Sequence, residues 1–150
     1  MKFFLISLTI FFSGINAKSQ IAIDAVKATI NNLFIAMKNG DAAMLTSCFA
    51  DSAVLQTIIK TEQGKIEVKN ENVNEFISFV SHEVKGNADE RIQFETIKID
   101  GPLAIVWAPY QFYYKGKFSH CGVNSFQLVN TSKGWKIQYI IDTRRKTGCK

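Results

Sequence analysis

From Glu90 onward the apolar residues of this chain recur at every second position, after three earlier segments in which they recur at every third and fourth. A period of two belongs to a strand buried on one face, and a period near 3.6 to an amphipathic helix. The switch points to early helices covering a late run of long strands, which is the α+β class. Long strands twist and curl, and one-sided helices need a concave surface to cover. A cone-shaped curved antiparallel sheet packed on three helices meets both demands, and such a cone has room for a cavity.

Ile23, Val26, Ile30, Leu33, Phe34 and Met37 make one helical face, and Gly40 closes that helix. Asp41 is placed to cap a second helix through Met44, Leu45, Cys48 and Phe49. Val54 to Ile59 and Lys65 to Lys69, joined by Glu62-Gln63-Gly64, read as a hairpin. Asn72 and Glu75 stand at capping-box spacing before a third helix, whose stripe is Val73, Phe76, Ile77, Val80 and Val84. Four strands follow: Glu90 to Asp100, Leu103 to Lys115, Phe118 to Asn130 and Trp135 to Thr143, the last three an antiparallel meander. Pro109 has no amide to donate, which predicts a bulge at that point.

The N-terminus reads as an export signal. Lys2 gives a positive start, Phe3 to Phe12 an apolar run, and Ser13-Gly14-Ile15-Asn16-Ala17 a small-residue exit. The run is shorter than the about twenty residues of a membrane span. Residues 1–19 are therefore expected to be a signal peptide, cleaved after Ala17 or just before Gln20, and residues 20–150 one domain. The expected location is secreted or periplasmic, with no stable membrane anchor after cleavage. An apolar fraction of 47% with 12% aromatics suits a packed core. The formal charge is +5, but Arg144, Arg145, Lys146 and Lys150 crowd one end, and the aromatics follow strand periods. That distribution argues against nucleic acid, whose partners interleave basic and aromatic side chains over one face.

Several separated segments carry a family likeness. Met37-Lys38-Asn39-Gly40-Asp41, Phe49-Ala50-Asp51-Ser52-Ala53-Val54 and Gly134-Trp135-Lys136-Ile137 resemble the nuclear transport factor 2-like superfamily, over about residues 20–145. Trp107-Ala108-Pro109-Tyr110-Gln111-Phe112, Gly116 to Gly122 and Asp142-Thr143-Arg144-Arg145 resemble its lumazine-binding branch. The resemblance implies the cystatin-like half-barrel. The superfold hosts enzymes, binders and adaptors, so chemistry has to come from residues.

Alternation on the Phe118 strand puts His120, Gly122, Asn124 and Phe126 on one face, with Cys121 and Val123 on the other. If the Trp107 and Trp135 side is concave, the cone is lined by Trp107, Gln111, Tyr113, His120, Asn124, Phe126, Trp135 and Tyr139. His120 then has three readings: a hydrogen-bonded histidine closing the wide end, a ligand contact, or a general base oriented by Asp142. Neither the Asp–Tyr–Asp set of an isomerase nor a paired-histidine set is matched, and His82 falls off the apolar stripe of its helix. No catalytic residue is assigned beyond the candidates His120 and Asp142. Asp142 with Arg144 and Arg145 is either a surface ion pair or an anion clamp at the mouth.

No zinc-ligand spacing and no cofactor motif is present. Cys48, Cys121 and Cys149 allow three pairings, of which Cys121–Cys149 is preferred because the Thr131–Gly134 hairpin sets Cys121 near Arg144. The expected function is a non-catalytic binding domain for a small apolar or aromatic molecule. The alternative is an isomerase, cyclase or lyase using His120. The outer sheet face offers a surface for a homodimer.

Overall fold

The computed structural model describes residues 14–149, so the apolar run read as the core of an export signal lies outside the described residues. Helix α1 spans Gly14–Asn39 and carries the segment expected to contain the cleavage site as its first turns. Its buried face is Val26, Ile30, Leu33, Ala36 and Met37, all downstream of that segment. Gly40 stops the helix at a φ of 70°, a conformation that suits glycine. Among the described residues no helix is long and apolar enough to cross a membrane.

Asp41 caps α2 (Ala42–Cys48), its carboxylate accepting from the Met44 amide at 2.9 Å. The helix ends one residue before the expected Phe49, which takes an extended conformation and opens β1 (Phe49–Lys60). β1 and β2 (Ile66–Glu71) form the expected hairpin. Asn72 caps α3 (Val73–His82) by accepting from the Asn74 and Glu75 amides. Val84 lies beyond the helix and is 70% exposed, so the stripe stops at Val80, which is fully buried. His82 is exposed, as its helical phase implies.

The expected strand from Glu90 to Asp100 is two strands, β3 (Ala88–Ile92) and β4 (Thr96–Asp100), both antiparallel to β5 (Leu103–Tyr114). Pro109 accounts for the break. Its carbonyl accepts from Gln93, so its missing N–H faces the same edge, and β3 and β4 are interrupted there. The predicted bulge is not at Pro109 itself. Pro109 pairs in register with Val123 of β6 (Lys117–Thr131), and the β5–β6 irregularity falls between Phe112 and Tyr113.

The sheet order is β2-β1-β7-β6-β5-β3, with β4 beside β5 and β7 spanning Gly134–Thr143. Every neighbouring pair is antiparallel except β1 and β7, which run parallel from Phe49 opposite Ile137. The sheet curves without closing, and α1 packs its buried stripe against Ala104, Val106, Ala108, Phe126, Leu128, Trp135 and Ile137 on the concave face. One irregularity matters for the site. Tyr139 pairs with Gln127 and Ile137 with Leu128, so Gln138 is an extra residue in β7. A one-residue insertion flips every side chain beyond it to the other face. Ile137 therefore faces inward before the bulge, and Ile140 and Asp142 face inward after it.

Candidate functional site

Between the concave sheet and the helices lies a cavity of about 500 Å³. Its helix side is apolar: Leu33, Phe34 and Met37 from α1, and Phe76 and Phe79 from α3. Its floor combines Phe126 and Ile140 with Tyr110, Phe112 and Tyr114 and a group of polar side chains. These are Glu90, His120, Asn124, Asp142 and Arg144, with Glu71 and Glu75 at the side of β2 and α3.

The register assembles the polar floor. Asn124 of β6 pairs with Asp142 of β7 on one side and with Ala108 of β5 on the other. Glu90 of β3 reaches across β5 to accept from Asn124 Nδ2 at 2.6 Å. Asp142 is buried, and its Oδ2 accepts from Arg144 Nε at 2.9 Å. The Tyr110 hydroxyl stands 2.9 Å from the same Oδ2 and 3.0 Å from the Thr143 carbonyl. Arg144 also donates to Glu71 at 2.8 Å, joining the end of β2 to the end of β7. The guanidinium thus spans two carboxylates, and burial, which alone would lower its pKa, is outweighed by its bond to Asp142.

His120 packs edge-on to Tyr110 and at a tilt to Phe112, with ring centroids 5.7 Å and 5.1 Å away. Its Nδ1 lies 3.1 Å from Ser119 Oγ. Burial, and then the Arg144 charge, pull its pKa below the ordinary value, so the ring is neutral near pH 7. His120 and Asp142 share the cavity, but Asp142 spends its Oδ2 on Tyr110 and Arg144. No hydrogen bond joins His120 to Asp142 in this structure.

Of the residues expected to line the cone, His120, Asn124 and Phe126 do so. The remaining five lie elsewhere. Trp107 pairs with Ser125 and is 48% exposed on the convex face. Gln111 and Tyr113 share that parity, Tyr113 donating to Gln111 and stacking under Arg91. The inward row of β5 is Ala104, Val106, Ala108, Tyr110 and Phe112, one residue out of phase with the expectation. Trp135 faces inward but is buried in the main core rather than in the cavity wall. Tyr139 lies past the Gln138 bulge, turns outward and donates to Gln56.

Glu90 is the chief omission. Its signal lay in the alternation, because it stands in phase with Ile92 and Phe94 on the inward face of its strand. A carboxyl on an apolar face is displaced toward its neutral form. Burial pushes Glu90 up from 4.5 to about 7, with Asp142 adding to the rise while Asn124 and Arg144 oppose it. The folded chain holds this proton more tightly than the unfolded chain, so charging Glu90 costs stability as pH rises from 4.5 to about 7. Glu90→Gln keeps an acceptor for Asn124 and removes the charge. It is expected to stabilise the fold by on the order of 2 kcal/mol at about pH 8, and by nothing measurable near pH 4. Urea unfolding of both proteins across that range checks this, and a gain independent of pH would contradict the assigned burial.

Cys121 and Cys149 are joined by a disulfide with their Cα atoms 5.8 Å apart. Cys121 lies on the face opposite His120, so the adjacent pair is not a catalytic dyad. Cys48 is a free, buried thiol, and burial pushes its pKa up, away from the reactive thiolate.

The family described as "Putative lumazine-binding" matches residues 22–138. No curated protein matches the sequence. A protein of unknown function from Mycobacterium tuberculosis is similar in structure, with a TM-score of 0.69 at 12% identity, over 90% of this chain and 78% of that one. A nuclear transport factor 2-like protein of unknown function from Silicibacter pomeroyi has a TM-score of 0.66 at 16% identity, over 85% of this chain and 98% of that one. A domain of unknown function with a cystatin-like fold from Nostoc punctiforme has a TM-score of 0.65 at 15% identity, over 85% and 80%. At these identities the likeness is one of fold. The family match runs from α1 into β7, and the chain belongs to the family described as "Putative lumazine-binding", with the cone-shaped fold of the nuclear transport factor 2-like proteins it resembles.

Proposed function

We propose that the protein is an exported domain that binds a small, partly apolar or aromatic molecule inside the cone. The observation that carries this reading is the cavity itself: about 500 Å³, apolar on the helix side, with a few converging polar groups on the sheet side. Ligand sites are built in that way, with apolar walls supplying affinity and sparse polar groups fixing orientation. The family match is consistent with a small-molecule ligand.

Native mass spectrometry of protein purified from its own compartment tests the proposal. A co-purifying small molecule is expected, and Met37→Trp, which fills the cavity from α1, is expected to lose it. A protein that carries nothing, and whose melting temperature a metabolite library does not shift, counts against binding. Cell fractionation with intact-mass analysis tests export, where a mature chain starting between residues 18 and 20 is expected.

The enzymatic alternative moves from His120 to Glu90. What favours it is a cavity carboxyl with a pKa of about 7, beside Asn124 and a neutral histidine. A carboxyl in that range suits general acid or base work near neutrality. Deuterium uptake into the cavity ligand from heavy water, lost in Glu90→Gln, would support it. A homodimer through the convex face is a separate proposal, supported by the exposed Leu103, Ile105 and Trp107 of β5. Light scattering at high concentration decides it.

A further inference from the structure

The chain as a whole is basic, with a formal charge of +5, yet its cavity is acidic. Glu71, Glu75, Glu90 and Asp142 line it, and the one cationic side chain among the described lining residues is Arg144. That guanidinium is already engaged by Asp142 and Glu71, at 2.9 Å and 2.8 Å. His120 adds no charge near neutrality, because burial and Arg144 hold its pKa down. An anionic ligand would meet unneutralised carboxylates and a guanidinium that is not free.

We propose that the cavity selects an organic cation, an apolar or aromatic amine whose ammonium sits on the floor between Glu90 and Asp142 while its body lies against Phe34, Met37, Phe76 and Phe79. The inference rests on the binding reading above and adds the charge of the ligand. Aromatic rings complete the seat. Tyr110, Phe112 and Phe126 surround the floor, and ring faces attract a desolvated cation. Behind the floor, outside the residues that line the cavity, lies Thr57 of β1. It pairs in register with Asp142, is 3% exposed, and its hydroxyl has no partner.

The charged and titratable groups around Glu90 fix the pH dependence. Asp142, Arg144, His120, Tyr110 and Tyr114 share its floor, Glu71 and Glu75 stand at the side, and on α1 Lys38 is paired with Asp89 at 3.0 Å. A cation favours the ionised form of Glu90, so binding releases its proton and affinity rises with pH through the range in which Glu90 titrates.

Three naphthalene probes of matched size separate the possibilities: naphthalen-2-ylmethylammonium, naphthalen-2-ylmethanol and 2-naphthoate. Calorimetry at about pH 6 and about pH 8 is expected to rank the ammonium first and the carboxylate last. The ammonium should gain about tenfold in affinity over that interval, as for a site that needs one group of pKa near 7 ionised. In Glu90→Gln the preference for ammonium over alcohol is expected to shrink, and its pH dependence to vanish. If alcohol and ammonium bind equally at both pH values, the charge selection is wrong while the binding reading stands. If the carboxylate binds best, the charge selection is reversed. If no probe binds, the binding reading fails with it.

Discussion

Gly122→Ala is expected to destabilise the fold by more than about 3 kcal/mol, at or beyond the usual cost of overpacking a core. The reason is a close approach of backbone. A Cβ at Gly122 would stand 1.7 Å from the Thr143 carbonyl oxygen and 2.8 Å from Tyr110 Cε1. A side chain in the way can rotate aside, but this obstacle is main chain and is pinned. Cys121 and Arg145 exchange both backbone hydrogen bonds, at 2.8 Å and 2.9 Å, and the Val123 amide donates to Thr143 Oγ1 at 3.2 Å. Relief requires β6 to part from the end of β7, which moves Thr143, the Tyr110 hydroxyl that rests on it, and Asp142. The variant should therefore lose urea stability and also lose ligand binding in whatever folds. An alanine variant within about 1 kcal/mol of the parent would show that the approach is not held, since ordinary surface changes fall in that range.

Gly122 also shows what strand parity can and cannot reveal. Alternation alone places it with His120, Asn124 and Phe126 on one face, and that face does line the cavity. Alternation does not say why the position is a glycine, because the answer depends on how near the chain returns twenty residues later. The same distinction runs through the site. His120, Asn124 and Phe126 lie on one strand between irregularities, so local period sufficed for them. Tyr139 faces outward, against the expectation, because the extra residue Gln138 reverses the parity of β7, and nothing in the local pattern marks that insertion.

Trp107, Gln111 and Tyr113 depart from the expectation for another reason. The expectation rests on the Trp107 side being concave, whereas the concave face near α1 takes the small Ala104, Val106 and Ala108 so that the helix can approach. The helices were legible from a 3.6-residue stripe, and their ends from Gly40, Asp41 and Asn72. The parallel pairing of β1 with β7 was not, because a non-local register is decided by the packed sheet. Glu90 was readable in principle, as a charge in phase with Ile92 and Phe94. Its meaning depended on Asn124 and Asp142, which belong to strands far along the chain.

The second large effect is expected at the disulfide. Cys149→Ser should cost about 3–4 kcal/mol under oxidising conditions on the loop-entropy estimate for a bridge closing a loop of this length. Cys149 is the position to change, because Cys121 is 1% exposed and a hydroxyl there would add a desolvation cost of its own. The bridge spans 28 residues of sequence and ties the tail beyond β7 to the convex side of β6. Reductant supplies the control. The parent protein should fall to the stability of Cys149→Ser when reduced, and the variant should be indifferent to reductant. Thiol labelling runs in parallel: only Cys48 should label in the oxidised parent, and only after unfolding, because it is buried. The bridge also fastens the segment that carries Arg144, the link between Asp142 and Glu71 at the cavity floor. Reduction should therefore weaken ligand binding as well as stability. Equal stability of the oxidised parent and Cys149→Ser would mean that the tail is held by its hydrogen bonds to Cys121 alone. Three thiols labelling in unfolded protein taken straight from its compartment would mean that the bridge does not form there, and would count against an oxidising location.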